Sequence, residues 1–189
     1  MIYGAKGIKL ATVTAEPDNA LPTYGEAFVL GELNRVADTP AFNEARGYGD
    51  NALKRHVVKF REATVDVTVL DMTNEHAATV FGAQIPETAA EELHFTSNDS
   101  PPYCGMAFFI NELLEDNEDR FKGIFYPKVK AAMQGSEYAT NGESITLSAK
   151  ALRFTASAAN NGEWKIESKY FATEAEAQAW VDRMVGATA

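Results

Sequence analysis

The sequence predicts a mainly β (α+β) protein, an antiparallel β-sandwich or half-barrel with one short helix and one C-terminal helix. Three observations lead to this fold class. Residues 143–149, 152–156 and 164–167 alternate polar and apolar side chains, as half-buried strands do. A helical apolar stripe follows them. Residues 62–69 alternate in the same way nearer the N-terminus. Strands in series with a helix at the end are typical of a sheet covered on one side.

The first half of the chain is predicted to form three strands and one long loop. Residues 3–14 and 26–36 have strand character, whereas residues 37–55 show no sustained period and are predicted to be a loop. From Lys59 onward the alternation is regular. One face carries Ala63, Val65, Val67 and Val69, and the other carries Glu62, Thr64, Asp66 and Thr68. This pattern indicates a strand with one face in water.

The second half begins with a short helix and a second long connector. Asn74 is predicted to cap a helix that ends at Gly82, and residues 84–102 are predicted to form the connector. Residues 106–110 are apolar on both faces, which favours a central strand. Residues 121–129 are predicted to return beside it after a charged hairpin tip.

The C-terminal helix has clear start and stop signals. Thr173 and Glu176 form a capping box, and Gly186 supplies the stop. The apolar stripe consists of Ala177, Trp180, Val181, Met184 and Val185. Trp164 lies in a strand and Trp180 on this stripe, positions that favour core packing over a ligand platform.

Composition limits the class of function. A single domain over residues 1–189 is expected, with 46% hydrophobic residues and a formal charge of -10. This charge disfavours binding to nucleic acid through phosphate neutralisation. Cys104 is the one cysteine, so no internal disulfide is possible and a reducing cytosol is expected. No apolar run is long enough for a membrane span or a secretory signal.

No group of residues indicates catalysis, a metal or a cofactor. The histidines and the cysteine lack the close spacing of zinc ligands; they are His56, His76, His94 and Cys104. The acidic residues 112–119 lack the ordered oxygen donors and glycine of a calcium loop. No serine lies in a Gly-x-Ser-x-Gly context. The sequence therefore predicts a protein that is not an enzyme and uses no cofactor.

Several short motifs follow one another along nearly the whole chain. They are Tyr3-Gly4, Tyr48-Gly49-Asp50-Asn51, the alternating strand at 64–70, Phe81-Gly82, the aromatic strand at 103–111 with its hairpin to Tyr126, and the segment from Glu143-Ser144-Ile145 to Phe154-Thr155-Ala156. In this order and spacing the chain resembles the major tail protein, or tail tube protein, of long-tailed bacteriophages with flexible tails.

The resemblance implies a structural virion protein, made and assembled in the host bacterial cytoplasm. Such proteins form hexameric rings through paired sheet edges, and the rings stack into a tube. The implied partners are other copies of the chain and the tail terminator, tail tip and tape-measure proteins; DNA passes through without specific binding, and no membrane is involved. Contacts between rings would use the long loops, with Tyr48, Gly49, Asp50 and Asn51 as the candidate residues.

The bore of such a tube must let the duplex pass without holding it; acidic walls would keep the duplex centred, and the formal charge of -10 suits this task. The candidates for the wet inner face are Glu62, Thr64, Asp66, Thr68, Glu143, Thr146 and Ser148. The same residues would equally face solvent on the outside of a sheet.

Two other functions fit the sequence. A tube or ring protein of a related bacterial injection apparatus would share the fold. A β-sandwich carbohydrate-binding module would need exposed aromatic residues clustered in loops, for which Tyr24, Tyr48 and Tyr103 are the candidates.

Overall fold

The computed structural model describes residues 1–50, 52–88, 91–115, 118–135 and 149–186. The strands are β1 (Ile2–Ala15), β2 (Thr23–Val29), β3 (Leu33–Gly49), β4 (Ala52–Val69), β5 (Tyr103–Leu113), β6 (Asp119–Ala132), β7 (Lys150–Ala156) and β8 (Ile166–Phe171). The helices are α1 (Asn74–Phe81) and α2 (Glu174–Met184). The predicted strand at 143–149 lies outside the described residues, apart from Ala149, which precedes β7.

The strands form one antiparallel sheet of eight strands in the order β2-β1-β5-β6-β7-β4-β3, with β8 paired to β6. This confirms the predicted mainly β class with two helices. Strand β6 has β5 on one side and two partners on the other. Its first half pairs with β8, as Phe121 does with Phe171, and its end pairs with β7, as Val129 does with Ala156. The sheet therefore branches at β6.

The main core lies on the inner face of this curved sheet. Ile8 and Leu10 of β1 share one buried cluster with Val65 and Val67 of β4, although β1 and β4 are far apart in the strand order. The sheet must therefore curl until these strands face each other, as in a half-barrel. Helix α1 adds buried residues to the same cluster, including Val80.

Helix α2 covers the opposite face of β1, β5 and β6. Trp180 packs in a second buried cluster with Phe109 and Phe125, which confirms its predicted core position. The capping box between Thr173 and Glu176 is also confirmed. The outer face of β3, β4 and β7 receives no helix in the described part of the chain. The sheet is thus covered on one half and bare on the other.

Three local predictions are wrong. The cap of α1 is Thr73, whose hydroxyl accepts the His76 backbone N–H at 3.2 Å, not Asn74. The strand predicted at 26–36 is two strands, because Gly31 has a φ of 155° and the Glu32 backbone N–H turns away to Asp71. Residues 37–55 are not a loop but most of a long hairpin formed by β3 and β4.

The connector at 84–102 contains no strand or helix in its described part, only a bridge between Gln84 and His94.

Candidate assembly surfaces

The β3–β4 hairpin extends beyond the rest of the sheet as a two-stranded arm, defined here as residues 42–61. Strand β7 stops pairing at Ala63, so no third strand of the described chain pairs with the arm. Every side chain described between positions 43 and 59 is exposed. An isolated two-stranded hairpin is only marginally stable in water. The arm therefore lacks a core of its own.

Large apolar side chains on the arm face solvent. Their exposed fractions are 48% for Phe42, 71% for Tyr48, 47% for Val57 and 48% for Val58. Scattered exposed apolar residues are normal, but four large ones on both faces of one thin hairpin indicate an interaction surface. The arm has the character of a surface that another molecule covers.

Aromatic contacts fix the base of the arm to the domain. The Phe60 ring stacks on Trp164 with 4.4 Å between centroids and 12° between planes, and Phe42 meets Phe60 edge-on at 6.1 Å. A register shift beside Phe42 keeps Phe60 directed toward the main core. Trp164 is thus a packing residue, as predicted.

The predicted contact residues between rings lie at the arm tip. Tyr48 and Gly49 end β3, and Asp50 has a φ of 50°, which a tight turn between two strands requires. Asn51 lies outside the described residues. Behind the tip, the Glu44 carboxylate lies 3.1 Å from Arg46 and 3.4 Å from His56. The tip is therefore polar, with one large exposed aromatic side chain.

Strand edges are free on both sides of the arm. Strand β3 is last in the sheet order and pairs only with β4, and β4 has no second partner between Ala52 and Glu62 in the described chain. Unpaired edges can add strands from another chain. Pro40 lies in β3, and proline is tolerated in an edge strand because its missing N–H removes no ladder bond there.

The predicted wet face of β4 is confirmed as a face. Glu62, Thr64, Asp66 and Thr68 alternate with the buried residues and are all partly exposed. Its charge differs from the expectation of an acidic wall. Two hydrogen bonds of 2.7 and 3.2 Å join the Arg153 guanidinium to Asp66, and Arg61 lies 3.0 Å from Glu62. The face is charge-balanced. Glu143, Thr146 and Ser148 lie outside the described residues, and the lumen position of all seven stays a prediction.

Charge is distributed unevenly along the chain. The arm has five Lys and Arg against two Asp and Glu, whereas residues 71–102 have six Asp and Glu and no Lys or Arg. These two segments lie at opposite ends of β4, because the arm contains the start of that strand and residue 71 follows its end. The molecule therefore has one basic end and one acidic end.

The candidates for metal or nucleophilic chemistry do not come together. The described residues include no group of three or more His, Cys, Asp or Glu that could hold a metal. His94 lies 3.2 Å from Glu92, and the ring of His76 stacks on Phe28. Burial raises the pKa of the Cys104 thiol to about 11, so it is protonated at neutral pH. The absence of enzymatic activity stays a prediction.

A cleft of about 670 Å³ opens on the inner face between β3 and β8. Its floor is apolar and includes Phe108 and Ile124. At its rim the Lys165 ammonium lies 3.0 Å from Asp38 and 3.2 Å from Glu167, and the Lys122 ammonium also donates to Glu167. These charged groups satisfy one another and hold β8 against β3.

The three tyrosines considered for carbohydrate binding do not form one platform. Tyr24 packs edge-on against Phe125, and its hydroxyl donates to the Pro127 carbonyl at 2.8 Å. Tyr48 is at the arm tip, far along the chain and the sheet from Tyr24. Tyr103 is 42% exposed, and the ammonium groups of Lys128 and Lys130 lie 4.6 and 5.3 Å from its ring centroid.

The arm was missed from the sequence although a signal was present. The sequence Asp50-Asn51, between the end of β3 and the start of β4, is of the type that favours tight hairpins, and it lies midway between segments of similar length. A comparison with models of known protein families found no match, and a search of curated proteins found none either. No helix in the described part of the chain is long and apolar enough to cross a membrane.

Proposed function

We propose that this protein is a tube-forming structural subunit, a major tail protein of long-tailed bacteriophages. The observation that carries the proposal is the arm, which exposes every described side chain from 43 to 59 and carries apolar residues that nothing in the described part of the chain covers. Such an element is stabilised by contact with another molecule. In a homo-oligomer that molecule is a neighbouring copy.

The free sheet edges supply the contacts within a ring. A neighbour that adds its own edge to β3 would pair backbone groups that have no strand partner in the described chain. Because the two surfaces in contact differ, the interface is heterologous and closes when the rotation between copies completes a circle. A hexameric ring is the closed form that the family resemblance implies.

The arm supplies the contact between rings. The eight residues of β3 from 42 to 49 span about 25 Å at about 3.3 Å per residue, which is beyond the surface of the subunit's own sheet. Tyr48, Gly49, Asp50 and Asn51 would then reach the next ring.

The bare outer face of β3, β4 and β7 is the surface we assign to the bore. It carries Glu62, Thr64, Asp66 and Thr68, with Arg153 neutralising Asp66. A balanced polar wall gives DNA no excess of cations to bind, so the duplex would slide. Glu143, Thr146 and Ser148 remain proposed parts of the same wall.

In this role the protein is part of the virion and is assembled in the host cytoplasm. The partners of the tube would be the tail terminator, tail tip and tape-measure proteins. A tube protein of a bacterial injection apparatus would use the same arm and edges. It would be distinguished by rings that carry effector proteins instead of DNA.

Sedimentation velocity over a wide range of protein concentrations tests the proposal. We expect reversible growth from the single subunit to ring-sized species and then to species without a fixed upper size, because rings stack at both ends. A protein that stays a single subunit at every concentration, or that forms only a closed dimer, would contradict it.

A further inference from the structure

A small apolar groove lies at the acidic end of the molecule, between the β2–β3 connection and the start of α1. It has a volume of about 260 Å³ and is lined by Val29, Leu30, Gly31, Glu32, Asp71, Met72, Thr73 and His76. This volume is below the roughly 300–1,000 Å³ of small-molecule sites. It suits a single large side chain.

Backbone hydrogen bonds hold the walls of the groove in place. The Asp71 carboxylate accepts the Glu32 backbone N–H at 3.0 Å, and the Leu70 backbone N–H donates to the Glu32 carbonyl at 2.9 Å. Gly31 has a φ of 155°, and a Cβ there would lie 2.0 Å from the Asp71 carbonyl oxygen. The groove is therefore formed before any partner arrives.

Apolar side chains border the groove, and acidic residues surround it. Val29 is 51% exposed and Leu70 is 49% exposed at its edge. Glu32 and Asp71 line it, and residues 71–102 contain no Lys or Arg. The Lys150 ammonium approaches from β7 but donates to the Met72 carbonyl at 2.9 Å. The surface therefore favours an apolar side chain flanked by cations.

The arm tip has that chemistry. Tyr48 is 71% exposed, and Lys54 and Arg55 follow the turn. Lys54 lies 3.8 Å from Asp50, and Arg55 has no carboxylate partner in the described chain. We propose that Tyr48 of one copy enters the groove of a second copy, with Lys54 and Arg55 beside Glu32 and Glu75.

A second copy is the occupant that the layout favours. The arm tip and the groove lie at opposite ends of β4, so neither can reach the other within one subunit. Repeating the contact moves each copy along the direction of β4, which produces a stack. The inference rests on the proposed function, because it assigns the surface on the neighbouring ring that receives the arm.

Thiol crosslinking between two different variants tests the contact directly. Gly47→Cys places a thiol next to Tyr48, where a Cβ makes only an ordinary contact of 3.6 Å with Arg55. Val29→Cys places a small apolar thiol at the groove. Native Cys104 is buried and does not compete. A short bis-maleimide added to the mixed variants should give a crosslinked pair.

Matched variants distinguish crosslinks formed by specific docking from those formed by random collision. The control uses Lys169→Cys, at an exposed position on β8, in place of Val29→Cys. The Lys169→Cys protein should crosslink to the Gly47→Cys protein at least about tenfold more slowly than the Val29→Cys protein does. In the Gly47→Cys chain, Tyr48→Ser should remove most of the crosslink, and Tyr48→Phe should retain it. Equal rates with Val29→Cys and Lys169→Cys would overturn the proposal.

Charge reversal gives a second test in the same assay. Arg55→Glu or Glu32→Lys alone should each slow crosslinking about tenfold, and the two reversals combined should restore the rate. Failure of the combination to restore it would overturn the proposed pairing. Tubes without the crosslink would refute this docking site while leaving the proposed function intact. A crosslink without rings would support the docking contact and refute the tube.

Discussion

Gly123 leaves the space in β6 that the Trp180 ring of α2 fills. A Cβ at position 123 would lie 2.1 Å from Cε3 of Trp180, so the indole or the helix would have to move. Gly123→Ala should therefore lower the free energy of unfolding by about 1–3 kcal/mol, the usual effect of overpacking a core. Urea denaturation measures this change. Gly135→Ala is the matched control, since nothing lies within 4 Å of its Cβ, and equal stability of the two variants would contradict the packing.

The ion pairs of Glu167 should make the free energy of unfolding depend on pH. The hydrogen bond from Lys122, aided by Lys165, lowers the pKa of Glu167 below its usual value. A carboxyl with a lower pKa in the folded state stabilises the fold above its unfolded pKa of about 4.3 and loses that contribution as the pH falls through the folded value. Because Glu167 is partly exposed, the contribution is below about 1 kcal/mol.

Glu167→Gln should thus cost less than about 1 kcal/mol at neutral pH, and its difference from the unmodified protein should shrink as the pH falls below about 4. Urea denaturation at a series of pH values gives both curves. A difference that does not change with pH would show that the ion pairs at the cleft rim add no such stability.

In the proposed tube, the paired charges on the wet face of β4 affect how fast DNA passes through the bore. Replacing Glu62 and Asp66 with Lys would leave Arg61 and Arg153 without their carboxylates and turn a balanced wall into a basic one. We expect tubes to assemble and DNA ejection to slow, because each ring would then attract phosphate. Ejection kinetics of a phage that carries both substitutions measure this. Unchanged kinetics would place these residues outside the bore.

At the scale of single elements, the sequence predicts those whose pattern comes from burial. Strand β4 is readable because Val65 and Val67 are buried and Asp66 between them is not, and α2 is readable from its capping box and stripe. Beyond its base at Phe42 and Phe60, the arm lies outside both cores, so no face of it is selected to be apolar and no alternation marks it. Its predicted identity as a loop was wrong for this physical reason.

The candidate surfaces could likewise be predicted only where burial produces a pattern in the sequence. The shared face of Glu62, Thr64, Asp66 and Thr68 could be predicted from alternation alone. The pairing of Asp66 with Arg153 could not, because it joins positions 87 residues apart and depends on β4 lying beside β7. Likewise, the opposition of a basic arm and an acidic groove requires the strand order as well as the composition.

Shortening the arm is the element-scale prediction. Asn43 and Lys59 lie directly opposite each other, so replacing residues 44–58 with Asn-Gly should give a tight two-residue turn between them. The stacking of Phe60 on Trp164 would remain. Since the removed side chains pack against nothing outside the arm in the described chain, Tm should stay within a few degrees while assembly beyond a ring is lost. Sedimentation velocity and thermal unfolding measure the two effects.

A large fall in Tm on shortening the arm would show instead that the arm stabilises its own subunit. Retention of long assemblies by the shortened protein would show that ring stacking does not use it. Either result would remove the arm from the proposed interface.

The whole molecule is a curved sheet with one covered half, one bare half, free edges and opposite charges at its two ends. Helix α2 protects the outer face of β1, β5 and β6, while the outer edge of β3 and the edge of β4 within the arm have no strand partner in the described chain. A single subunit gains nothing from this asymmetry. A repeating assembly gains a contact from each of these features, since edge, arm and groove all lie on different sides.

Negative-stain electron microscopy of the concentrated protein, with no other protein added, shows whether copies of the chain build a tube by themselves. We expect rings of six copies with a central hole, stacked into hollow tubes, and loss of the stacking in the protein with the shortened arm. Particles that remain single, compact and without a hole at the highest attainable concentration would contradict the proposed tube.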